Sequence, residues 1–366
     1  TGFSKDYTGI YEIIIPTDNY SLNIGGNLSS SCLTKTPATI NFGDGNTIKE
    51  VGYSYTHLYE KAGTYIFKGH FACGGTKGIG PIKSVLSKVI QYPNSSTYFD
   101  VNGSTQLTYV DCANITRPLT KFSCNSCTSL TTLDNSANLD FSNCTNMSYS
   151  FQNCYYLKFD YPNGKPNWKF KTDSNIGFSS TFKECGSKLE LSIDEDYIFD
   201  LSECGQVICT NYLRTFQNTA FTKLIVNVDT YKDRSSTDHR NSFTSSKLKE
   251  LSFAEGSIWG LDIGTSFQIP NATMVDLSNL DISHASLGTD NAFNFLPNVV
   301  DFKFGKGWQH STSFSNDKKL SRESLLSIIN NLSVVSGQTL TLGSINLAKL
   351  TDDDIAIATN KGWSVV

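Results

Sequence analysis

LDFSNCTNMSYSFQNCYYLKFDYP, residues Leu139 to Pro162, sets Phe151, Cys154, Leu157 and Phe159 in the order F-x-x-C-x-x-L-x-F. The apolar positions up to Cys154 are three apart, as on a helical turn, whereas Leu157 and Phe159 are two apart, as on a strand. A change of period inside so short a span marks one turn-plus-strand unit. Such a unit is too small to bury its own apolar face, so it needs neighbours of the same kind.

The order recurs. Thr181-Phe182, Cys185 and Leu189-Glu190-Leu191 form a second copy, and Phe216 with Leu224-Ile225-Val226 a third. Phe243 leads to Leu248 and Leu251-Ser252-Phe253, Phe267 to Met274-Val275-Asp276-Leu277, and Phe293 to Val299-Val300-Asp301-Phe302. The lead phenylalanines are spaced by 31, 34, 27, 24 and 26 residues, and Cys127, Leu130 and Leu133-Asp134 stand upstream as an earlier copy. Self-similarity at this period is the mark of a solenoid, in which stacked neighbours share one continuous core. Coincidence in a Phe-rich chain is the competing explanation, and six copies with matching internal order argue against it.

At 366 residues the chain exceeds what one compact core usually holds, so two or more domains are expected. Thirty basic and thirty-four acidic residues give a net charge of −4, and only 17% of residues are charged, against roughly 25% in average domains. Asn, Ser and Thr fill the difference, a surface common in extracellular and virion proteins. No basic run exists to neutralise phosphates, so nucleic acid is not an expected partner. No apolar stretch approaches the ~20 residues that span a bilayer, so membrane insertion is not expected. The opening TGFSKDYTGI does not read as a signal peptide. A leader removed upstream of Thr1 and a true start outside this chain both stay open.

Residues 1 to about 92 have another texture. Apolar runs at Tyr11–Ile15, Ala38–Phe42 and Thr64–Phe67 alternate with turn-formers, as in an antiparallel sandwich. Gly43-Asp44-Gly45-Asn46 reads as a tight turn, its glycines supplying positive φ and its Asp capping the loop. INFGDGN (40–46) and THLYEKAGTYIF (56–67) together resemble the PKD-type immunoglobulin-like domain, with Asn41 and Ile40 where that family often has Asp and Trp. The resemblance covers about 35 residues. It implies a spacer or contact module in which Asp44 and His57 are structural.

Residues 93–104 read as loop or linker, and Ile82–Ile90 as a possible first strand-bearing module at the array's open end. From about 105 onward, LDFSNCTNMSYSFQNC is similar to the BspA-type leucine-rich repeats of bacterial surface proteins, with Phe141 and Ser150 departing from the usual Leu and Met. Val275-Asp276-Leu277-Ser278-Asn279-Leu280-Asp281 recovers the same pattern. Insertions near 161–177 and 227–241 are expected as loops on one edge. The expected organisation is therefore mainly β with short helices: a PKD-like sandwich over 1–92, a leucine-rich-repeat solenoid over 93–316, and an α/β cap over 317–366.

The tail supports a cap. Ser321 precedes apolar residues at 325, 326, 328, 329 and 332, which predicts one helix with a serine N-cap. A strand is predicted at Thr339–Leu342. A second helix is predicted from Thr351-Asp352-Asp353-Asp354, its carboxylates favoured by the dipole, with Gly362 as the stop before a strand at Trp363–Val366. TLTLG (339–343) with NLAKLTDDDIAIATNKGW (346–363) resembles the C-terminal segments of tail and fibre proteins from phages of gut bacteria.

Candidate chemistry is thin. The five histidines (57, 70, 239, 284, 310) form no metal-type cluster, and no G-x-S-x-G elbow occurs. Cys124-Asn125-Ser126-Cys127 lacks the second pair of a zinc ribbon and the βαβ setting of a thioredoxin site, so it reads as packing. Cysteines at a fixed repeat position read as buried thiols acting as small hydrophobes. Among the ten cysteines, Cys32 and Cys73 are the pair placed to bridge if any does. Asp194-Glu195-Asp196 reads as a solvated turn. No catalytic residue, metal or cofactor is expected.

Aromatics carry more. Tyr149, Tyr155, Tyr156, Tyr161 and Trp168 crowd one segment, with Trp259 and Trp308 further on. Rings of this kind anchor sugars or proteins at recognition surfaces, or they point inward and pack. The resemblances imply a non-enzymatic surface protein of a phage particle, a tail or fibre component that attaches to a host glycan or protein. On that reading it sits on the virion surface in several copies beside other virion proteins. The alternative is a bacterial cell-surface or secreted adhesin of the same build.

Overall fold

In the computed structural model the described residues are 8–24, 39–49, 55–69, 82–94, 96–192, 194–231, 238–287 and 292–366. The chain is mainly β with few helices: 29% strand and 10% helix. It forms two compact units. One comprises residues 1–160 with 167–169 and 185–189; the other comprises 161–166, 170–184 and 190–366.

The first unit opens with antiparallel pairing. Gly9–Ile15 alternates buried and outward residues, as a half-buried strand must, and pairs with Gly63–Gly69 in the register Tyr11↔Phe67 and Ile13↔Tyr65. Ile40–Asn41 pairs with Gly63–Gly69 on its far side, and Tyr20–Asn23 pairs antiparallel with Thr56–Tyr59 in a separate two-stranded sheet. The predicted turn joins Ile40–Asn41 to Thr47–Ile48: Gly43 has φ 86° and Gly45 φ 98°. A Cβ on Gly43 would lie 2.7 Å from the Ile66 carbonyl oxygen, so only glycine fits there.

Leu86–Gln91 changes the direction of the sheet. It pairs antiparallel with Gly9–Ile15 and parallel with Tyr109–Asp111, which pairs parallel with Thr132–Asp134. One seven-stranded sheet thus carries strands from both sides of residue 92. A second parallel pair, Tyr98–Asp100 with Lys121–Ser123, sets Phe99 opposite Phe122. Their rings stack at 4.7 Å, Phe122 meets Phe151 at 5.4 Å, and Phe151 stacks on Trp168 at 5.9 Å with planes 4° apart.

The second unit is built on a five-stranded parallel sheet whose strands follow chain order: Ile198–Asp200, Lys223–Val226, Glu250–Phe253, Met274–Asp276 and Asp301–Lys303. Phe199, Leu224, Leu251, Val275 and Phe302 share one register and all are buried. A second parallel ladder joins Val207–Ile208, Val228–Asp229, Ser257–Ile258 and Leu280–Asp281. Between them the lead phenylalanines form a spine. Phe182–Phe216, Phe216–Phe243, Phe243–Phe267, Phe267–Phe293 and Phe293–Phe314 have centroids 5.1, 6.0, 5.6, 5.5 and 5.7 Å apart.

Three devices repeat along both units. An Asp at a strand end accepts the N–H two residues on, as in Asp100–Asn102, Asp140–Ser142, Asp200–Ser202 and Asp276–Ser278, each at 2.9 Å, which turns the chain out of the strand. Buried hydroxyls donate to carbonyls of the preceding module, as Ser150 does to Phe122 (2.7 Å) and Ser245 to Thr219 (2.9 Å). Thiols do the same: Cys127 to Val101, Cys144 to Leu119 and Cys154 to Cys124, at 3.0–3.2 Å. Each adds a bond from one module to a carbonyl of the module before it, and the Val101 and Cys124 carbonyls accept a backbone N–H as well.

Several local expectations need correcting. Leu157 and Phe159 are buried but lie in no strand, and Leu189–Leu191 forms none either; the strand after Phe182 is Ile198–Asp200. Residues 161–177 are not a peripheral loop, because Trp168, Phe170 and Ile176 are buried there, and Val228–Asp229 belongs to a ladder. The tail follows prediction closely. Arg322–Asn331 is helical with Ser321 capping Ser324 N–H, Asp352–Thr359 carries a full capping box between Thr351 and Asp354, and Trp363–Val365 pairs with Gln338–Thr341. Gly362 (φ 87°) stops the helix where a Cβ would meet the Val335 oxygen at 1.8 Å. The short helix Gly343–Leu347 carries no periodic signal and was not expected.

Candidate functional site

The aromatic segment divides. Trp168 is in the core, its Nε1–H donating to the Ser136 carbonyl at 2.7 Å and its ring enclosed by Phe141, Phe151 and Phe159. Tyr161 is buried as well, at 8% exposure. Neither can meet a ligand directly. The sequence signal failed for both because the polar residues around them in the chain are not their neighbours in space. Trp259 and Trp308 are likewise fully buried.

Tyr149, Tyr155 and Tyr156 remain at the surface, Tyr149 at 47% and Tyr156 at 42% exposure. Lys188, which the sequence reading missed, completes the group: its Nζ lies 4.4 Å from the Tyr155 ring centroid and 5.9 Å from that of Tyr156. The Lys188 N–H also donates to the Tyr155 carbonyl at 3.0 Å, which fixes the stem. An ammonium over a ring face is a cation–π contact of modest strength, close at Tyr155 and at the edge of its range at Tyr156. Tyr149 has φ 66°, costly for a bulky residue. Ser180, Arg214 and Asn241 take the same conformation two residues before Phe182, Phe216 and Phe243, so the module's turn, not a ligand, imposes it.

Other motifs are structural. Cys124 and Cys127 are buried free thiols, as are the other six described cysteines, and burial pushes the Cys127 and Cys144 thiols up to about 12. Such thiols are neither nucleophiles nor metal ligands as they stand. Cys32 and Cys73 lie outside the described residues. Asp194-Glu195-Asp196 forms a turn in which Asp196 pairs with Lys223 at 3.1 Å. His239 is buried with its Nδ1 accepting from Tyr212 N–H, and burial pushes it down to about 4. Among the described residues no group of three or more His, Cys, Asp or Glu could hold a metal ion, and no helix is long and apolar enough to cross a membrane. No family model, curated protein or solved structure matches this chain.

Proposed function

We propose that the chain is an attachment protein in which an immunoglobulin-like N-terminal domain, a leucine-rich-repeat solenoid and an α/β cap form a scaffold for recognition. The observation that carries the reading is the surface trio Tyr149, Tyr155 and Tyr156 with Lys188 held over two of its rings. A ring already held by a neighbouring cation, as Tyr155 is, loses less freedom on binding, which is what a recognition surface needs. Parallel ladders with a shared aromatic spine make a stiff support, so many weak contacts add instead of being absorbed by deformation. Copies arrayed on one particle multiply such contacts by avidity.

Within this reading the carrier is a phage particle, the chain sits on its surface as a tail or fibre component, and the partner is a glycan or protein of the host envelope. TLTLG (339–343) with NLAKLTDDDIAIATNKGW (346–363) supports that choice by its resemblance to phage tail and fibre endings. A bacterial surface adhesin of the same build is the second reading, favoured by the BspA-like modules themselves. Neighbouring genes separate the two: capsid and tail genes on either side support the first, and a secretion or sorting context supports the second.

Adsorption of the labelled chain to a panel of gut bacteria tests the shared claim. Binding to one strain that falls at least severalfold in Tyr155→Ala and Tyr156→Ala, with unfolding temperature unchanged, is expected. Equal binding by these variants would remove the tyrosine group from recognition.

A further inference from the structure

The residue after each lead phenylalanine sits half-buried beside the spine, and in the second unit three of these, Thr244, Gln268 and Asn294, line one open groove of about 410 Å³. Asn316, two residues after Phe314, adds a further amide, and the exposed Phe295 with Pro270 and Pro297 forms the apolar wall. That volume lies within the roughly 300–1,000 Å³ of small-molecule sites. Among the described residues Thr244 Oγ1 and Asn294 Oδ1 are shielded from solvent and have no hydrogen-bond partner. A ligand in the groove would supply the missing bond to either atom once its side chain turns toward the opening.

We infer that this groove is a binding site for a neutral oligosaccharide. Among the described residues its lining holds hydroxyl, amide, proline and aromatic groups and no charged side chain, so an ionic ligand would find no counter-charge there. An extended peptide would need free backbone groups to pair with. At the Thr244 turn such groups are already used between modules: Asn218 N–H donates to the Thr244 carbonyl, and Phe243 N–H to the Ser266 carbonyl. A sugar chain matches both halves of the lining. Its hydroxyls can bond the Gln268 and Asn316 amides, and Asn294 and Thr244 once these turn outward, while the C–H face of a ring lies against Phe295 and the prolines. The modules repeat, so equivalent side chains recur at one spacing, which suits a ligand that is itself a repeat. The inference deepens the attachment reading and rests on it for the biological source of the glycan, not for the site.

The test prints neutral gluco-, manno-, galacto- and N-acetylglucosamine oligosaccharides beside sialylated and sulfated ones, probes them with the full chain, and titrates the hits calorimetrically. Capture of at least one neutral oligosaccharide is expected, with Phe295→Ala, Gln268→Ala and Asn294→Ala each weakening it roughly tenfold or more. Val334→Ala, at an exposed residue that lines no part of the groove, should stay within about twofold. Phe295 and Gln268 lie outside the spine, so their variants keep the wild-type unfolding temperature and report on binding. No neutral capture, a preference for the acidic glycans, or capture unaffected by Phe295→Ala and Gln268→Ala would each overturn the inference. Cell adsorption lost in Tyr156→Ala yet intact in Phe295→Ala keeps the attachment reading and overturns this site; neutral-glycan binding without cell adsorption does the reverse.

Discussion

The ring of Phe182 lies flat on that of Phe216, centroids 5.1 Å and planes 6° apart, and Phe216 in turn stacks on Phe243 at 6.0 Å. Phe216 is thus buried between the rings before and after it. Replacing Phe216 with Ala removes contacts on two sides and leaves a cavity that the stiff ladders cannot close. A loss of about 3–5 kcal/mol is expected, and of under about 1.5 kcal/mol for Phe216→Leu. Urea unfolding followed by tryptophan fluorescence measures both.

His57 Nε2 and Asp44 Oδ2 are 2.6 Å apart, and the imidazole lies flat on Phe42 at 3.8 Å. Burial raises the Asp44 carboxyl, but hydrogen bonds from the Asn46 N–H and from His57 outweigh it and hold the group below its usual 3.8. A lowered folded-state value means that the stabilisation is present above about pH 4 and is lost as pH falls below it. Asp44→Ala should therefore cost about 1–3 kcal/mol at pH 7 and less near pH 3, read from unfolding temperatures across pH.

Asp317 has the opposite sense. Burial pushes its carboxyl up to about 7, against a hydrogen bond from Leu296 N–H, and among the described residues its second oxygen has no partner. The folded chain holds a proton that the unfolded chain has lost, so stability falls as pH rises from about 4 to about 7 and then levels. Asp317→Asn keeps the acceptor for Leu296. It should exceed wild type by about 1–3 kcal/mol at pH 8, with the gap closing toward pH 4.

The described thiols are core groups. Iodoacetamide at pH 8 should leave Cys127, Cys144, Cys154 and Cys185 unmodified in the native chain and label all four in urea, as mapped by peptide mass spectrometry. Native labelling at the rate of a free thiol would place them at the surface.

What could be read from the chain and what could not divides along a physical line. Ser321, Thr351 and Gly362 act on their own few neighbours, so the caps were legible, and Gly43 and Gly45 announced their turn for the same reason. The spine was legible because repetition turns a non-local contact into a local pattern. Trp168 was not, since its burial depends on Phe141 and Phe151, which no short window joins to it. Leu86–Gln91 was half legible: its strand character is local, but its double allegiance to antiparallel and parallel partners is not. The groove escaped notice because Thr244, Gln268 and Asn294 are ordinary polar residues until stacking aligns them.

Register is the quantity on which the whole account stands, and a crosslink reads it directly. Ile225 and Ser252 are partners on adjacent parallel strands and point outward. Parallel neighbours lie about 4.8 Å apart, within the span a disulfide bridges, whereas Ile225 and Glu250 are two residues out of step and beyond it. Mild oxidation should close the Ile225→Cys/Ser252→Cys pair and leave Ile225→Cys/Glu250→Cys open, as scored by mass spectrometry. Closure of the second pair, or of neither, would contradict the stacked modules from which the function is argued.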